Sequence, residues 1–144
     1  MTTPITRLAA ALGALALAAP AWAQEAPTSV RLDTETAIGG VNIGCTGIGQ
    51  QKHDPRWLAY PVQVEFARPD GAYLGDEALS VMDRSGKVLA TVSCEGPWIL
   101  LRPDAPGEFT FKGWLPGSAV GPKAGAFHMP AKGRMRLVLH FPVG

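Results

Sequence analysis

Long apolar runs, an excess of charge of either sign and closely spaced cysteines are all missing from this chain of 144 residues. Its main apolar run, Leu8 to Ala19, falls well short of the ~20 residues a membrane-spanning helix needs. Charged residues make up only 17% of the chain, with 13 Lys plus Arg against 12 Asp plus Glu. A chain so balanced has no global field to recruit nucleic acid or anionic lipid. Lys132, Arg134 and Arg136 do cluster, but their alternate spacing predicts the wet face of a strand rather than a phosphate patch. There is no Cys-x-x-Cys, no Gly-x-Ser-x-Gly and no Gly-Lys-Ser/Thr. Those absences remove the sequence signatures of a thiol redox centre, a serine-hydrolase elbow and a phosphate loop.

The amino terminus has the three parts of a secretory leader over residues 1–23. Arg7 supplies the charge, Leu8 to Ala19 the apolar core, and Ala21-Trp22-Ala23 after Pro20 the small residues of a cleavage site. Cleavage after Ala23 leaves Gln24 first and removes one basic residue, so the mature chain carries 12 − 12 = 0 formal charges. A membrane anchor is the alternative, disfavoured by length, and no Cys follows the cleavage site to carry a lipid. The expected destination is the periplasm.

Two cysteines remain, Cys45 and Cys94. In an oxidising compartment such a pair is expected to form a disulfide. Metal-binding or redox thiols are the competing reading, and neither Cys has a nearby His to support it.

Beyond a tail and first strand over residues 24–36, most of the chain has a period of two. Val62, Val64 and Phe66 alternate with Gln63 and Glu65; Val88, Ala90, Val92 and Cys94 share a face; so do Met135, Leu137, Leu139 and Phe141. Arg68-Pro69-Asp70-Gly71, Arg84-Ser85-Gly86 and Pro103-Asp104-Ala105-Pro106-Gly107 carry turn chemistry. Gln50 to Tyr60 is the one candidate helix, limited to a turn or two by Pro55. Leu115 to Gly125 reads as an exposed loop. About seven short strands separated by turns predict a single all-β sandwich.

Several segments carry a resemblance: Gly39-Gly40-Val41 with Gly47-Ile48-Gly49, Ala72-Tyr73-Leu74, Met82 to Leu89, Glu95-Gly96-Pro97-Trp98 and Ala105 to Phe111. Over residues 37–141 the chain resembles small exported bacterial proteins with a carboxypeptidase regulatory-like, or transthyretin-like, domain. The resemblance implies a transthyretin-like Greek-key β-sandwich over residues 37–144, with no catalytic residues to carry over. The chain departs from that pattern at Arg102-Pro103-Asp104, where Leu-Pro is usual, and in both cysteines.

Candidate sites are sparse. His53, His128 and His140 are not at ligand spacing. Copper is the sharpest metal hypothesis, through convergence of His128, Met129, Met82 and Met135, with core packing of Met82 and Met135 as the alternative. Trp57, Trp98 and Trp114 are candidates for a sugar platform, although Trp98 is expected in the core and Trp114 on the outer face. Ser29, Ser80, Ser85, Ser93 and Ser118 lack an evident base, and Asp76-Glu77 should point to opposite faces. The expectation is therefore a non-catalytic periplasmic binding or accessory module, without cofactor or metal, engaging another envelope protein through a sheet edge or exposed loops. The alternative is a carrier of a small ligand, carbohydrate or copper.

Overall fold

In the computed structural model, residues 26–143 and Gly13 are described. The leader read over residues 1–23 lies, apart from Gly13, outside the described residues.

The chain is an all-β sandwich of two five-stranded sheets. The strands are β1 (Thr28–Val30), β2 (Thr34–Ile38), β3 (Val41–Thr46), β4 (Val62–Ala67), β5 (Glu77–Met82), β6 (Val88–Cys94), β7 (Trp98–Pro103), β8 (Glu108–Trp114), β9 (Lys123–His128) and β10 (Met135–His140). One sheet runs β1-β6-β5-β8-β9 and the other β10-β4-β7-β3-β2. All neighbours are antiparallel except β1 with β6 and β10 with β4.

Among the described residues there are thus ten strands rather than about seven. The first strand expected within residues 24–36 is divided between β1 and β2, because Asp33 adopts a left-handed φ of 59° and turns the chain from one sheet to the other. The expected helix over residues 50–60 is two short 3-10 turns, Gln50–His53 and Pro55–Ala59. Asp54, between them, accepts a hydrogen bond from the Arg56 amide at 2.9 Å, satisfying one amide that the following turn leaves unpaired. β9 begins at Lys123, so the predicted loop over residues 115–125 ends earlier.

Turn chemistry explains the hairpins. Gly39 and Gly40 join β2 to β3 with φ of 57° and 80°, the pair of positive values that a two-residue hairpin turn requires. Asp83 accepts hydrogen bonds from the amides of Ser85 and Lys87 at 2.9 and 3.1 Å, and so pins the β5–β6 turn.

The two sheets bury their apolar faces against each other. Ile43, Val64, Phe66, Ile99 and Leu101 from one meet Leu79, Val81, Val92, Phe111 and Phe127 from the other in one cluster. Phe66 stacks on Phe141 at 5.8 Å between centroids, and Phe109 on Phe127 at 5.4 Å. Cys45 and Cys94 form a disulfide that ties β3 to β6 across this core, with Cα atoms 5.6 Å apart.

Candidate functional site

Three turns converge at one end of the sandwich: residues 39–40 between β2 and β3, 83–87 between β5 and β6, and 104–107 between β7 and β8. With the end of β9 they enclose an open groove of about 1020 Å³. Leu89, Pro103, Phe109 and Met129 supply apolar lining, and Asp83, Arg84, Asp104, Glu108 and His128 supply polar groups.

Most of these polar groups are already engaged. Asp104 accepts from Asn42 Nδ2 at 2.9 Å. Glu108 and His128 face each other across β8 and β9, with Nε2 and Oε1 3.0 Å apart. The Ser85 hydroxyl at 2.6 Å, with the local amides, holds the Asp83 carboxyl below its ordinary range. Arg84 stands exposed at the rim. The groove therefore offers an apolar lining and an exposed guanidinium among prearranged polar groups.

β9 runs into this groove and, among the described residues, is an edge strand hydrogen-bonded on its β8 side. Its sequence Lys-Ala-Gly-Ala-Phe-His is mostly exposed, with only Phe127 buried. An edge with small side chains leaves its outward amides and carbonyls open to another strand.

A second polar cluster covers the outer face of the β10-β4-β7-β3-β2 sheet. Gln63 and Glu65, which alternate with Val62, Val64 and Phe66 and so lie on this outer face, are nevertheless buried. Glu65 receives Arg136 through both Nε and Nη2, the latter at 3.0 Å. Burial pushes the Glu65 carboxyl up, but hydrogen bonds from Arg136, Tyr73 and Gln63 outweigh it and hold it below the ordinary carboxylate range. Arg134 donates to the carbonyls of Trp57 and Tyr60 and to Gln63 Oε1. Arg134 and Arg136 are therefore braces on the sheet, and not simply a wet strand face as their spacing predicted. Tyr60 donates to Glu35 at 2.6 Å; burial first, and then this bond, raise its phenol well above the ordinary value.

The structure separates the predicted sugar platform. Trp57 is buried beneath its own 3-10 turn, packed with Tyr60 and Leu100. Trp98 is not in the core: it lies half-buried on the outer face, edge-on to Tyr73 at 6.1 Å and beneath Lys52 at 5.8 Å. It alternates with the inward Ile99, so its apolar neighbours in sequence concealed its orientation. Trp114 is on β8 in the opposite sheet.

The copper set does not assemble in the groove. His128 and Met129 line it, whereas Met82 and Met135 do not. Met129 and Met135 pack against the core. Among the described residues no group of three or more His, Cys, Asp or Glu is placed to hold a metal ion. His53 and His140 are exposed on other elements. The Ser80 hydroxyl is paired with Thr91 at 2.8 Å, and that of Ser85 donates to Asp83, the carboxylate that pins the β5–β6 turn. Asp76 is exposed, and Glu77 beside it is fully buried.

Comparison with protein-family models and with curated proteins brings no match. Among the described residues no helix is long and apolar enough to cross a membrane.

Proposed function

We propose that this chain is an exported, non-catalytic binding or accessory domain that takes an extended segment of another envelope protein along β9. The continuity of that edge with the groove supports the reading. Strand addition would supply main-chain hydrogen bonds, while side chains entering between Leu89, Phe109 and Met129, beside Arg84, would supply selectivity. The leader-like residues 1–23 favour the periplasm as the place of action, and the turn motifs favour kinship with carboxypeptidase regulatory-like domains. Carriage of a small ligand in the same groove is the second reading, favoured by its size.

A photo-crosslinking amino acid at Ala126 should capture a discrete protein adduct in the periplasm. The same probe at Leu58, exposed on the other sheet's 3-10 turn, should not, and Arg84→Glu should weaken the Ala126 adduct. Equal capture at both positions, or none at Ala126, would overturn the edge-strand reading. Native mass spectrometry showing a small added mass lost in Arg84→Glu would favour the carrier.

A further inference from the structure

Glu77 opens β5 and belongs to the inward-facing set that continues with Leu79 and Val81. It has no exposed surface. Neither carboxyl oxygen has a hydrogen-bond partner on another described residue, and the Glu77 amide itself, which favours ionisation, is outweighed by burial. In register it stands opposite Cys94 on β6, which in turn stands opposite Val30 on β1. This row lies at the end of the sandwich away from the groove. There the chain is tight: Asp76 takes a φ of 56° and donates its amide to the Glu95 carbonyl at 3.2 Å.

Among the described residues no cation answers this carboxyl. The facing sheet turns apolar side chains inward, from Ile43 and Cys45 on β3 to Val64 and Phe66 on β4 and Ile99 on β7. On β6 and β1 the neighbours are the disulfide-bonded Cys94 and the apolar Val30, and β8 ends opposite Ala78 with Trp114. Among the described residues the charge that acts on it is Asp76, the residue just before β5, which opposes ionisation further. An ionised carboxylate in such a place would be uncompensated, and the group neutralises instead.

We propose that Glu77 is a proton latch: the sandwich closes over its carboxyl only with the proton on, so the domain folds with uptake of one proton and loosens as the medium turns alkaline. Burial, reinforced by Asp76, pushes the carboxyl from its ordinary value of 4.5 up to about 9 in the folded chain. Because the folded value is the higher one, the stabilisation from the proton is complete below about pH 4.5 and is lost as pH rises toward 9. Between those limits the folding equilibrium constant falls about tenfold per pH unit. Glu65 and Tyr60 leave this window clear, since Glu65 titrates below the ordinary carboxylate range and Tyr60 above the ordinary phenol range.

The test is urea unfolding of the whole oxidised protein from pH 5 to 8.5, for wild type and Glu77→Gln. Wild type should show the one-proton slope, and Glu77→Gln should lose it and be the more stable of the two at pH 7.5. A flat wild-type profile, or the same slope in Glu77→Gln, would overturn the proposal. If Glu77→Gln does not fold, refolding of wild type in weakly buffered indicator dye at pH 7 decides: one proton taken up sustains the latch, and none refutes it.

Discussion

A Cβ placed on Gly44 would stand 2.7 Å from Cζ3 of Trp57, so the indole of the 3-10 turn rests directly on bare β3 backbone. That contact lets the 50–60 segment lie flat on the outer sheet face. Gly44→Ala is expected to lift the ring and cost about 1–3 kcal/mol, as overpacking of a well-filled site does. Chemical denaturation, with Trp fluorescence following the indole, would check it. An unchanged midpoint would mean that the segment shifts freely.

Arg134 closes the same segment from its other side by binding the carbonyls of Trp57 and Tyr60. Arg134→Ala should cost about 1–3 kcal/mol and speed amide exchange over residues 55–60 relative to the core strands. Equal protection in both proteins would show that packing of Trp57 alone holds the turn.

The Glu65–Arg136 pair joins β4 to β10, and only its carboxylate end is fully buried. Arg136→Met should destabilise by about 1–3 kcal/mol, because water can partly replace the lost guanidinium but the carboxylate keeps its burial. The Glu65 carboxyl is held low in the folded state, so its stabilisation is present above the ordinary value of 4.5 and is lost as pH falls below it. Acid unfolding of Arg136→Met should therefore begin at higher pH than that of wild type, which circular dichroism against pH would show.

Cys45→Ser removes a link between residues separated by 49 positions. The chain-entropy model gives a loss of about 4 kcal/mol, which lowers the melting temperature by roughly 10–20 °C for a domain of this size. Calorimetry under oxidising conditions measures it. A melting temperature within a few degrees of wild type would show that the packed core holds the two sheets without the link.

The alternation of Val62-Val64-Phe66 and of Met135 to Phe141 was enough to read the inner faces, and the Asp-Gly and Pro-Gly turns the hairpins. Each depends on residues adjacent in the chain. Burial of Gln63 and Glu65 was not legible, because it comes from Arg136 and the 50–60 segment, both distant in sequence and free to lie elsewhere as far as periodicity can say. Trp98 was misread for a similar reason: five apolar or small neighbours suggest a core strand whose two faces look alike. Glu77 was within reach, since the period of two already aligned it with Leu79 and Val81. The groove had no signature at all, being made of three turns that meet only when both sheets are stacked.

The pairing of β10 with β4 carries a consequence for the order of assembly. A chain made from its amino end delivers β4 long before β10, so throughout that interval β4 has an open flank and Glu65 waits without its guanidinium. Closure of the second sheet along that flank therefore waits for residues 135–140, at the far end of the described chain.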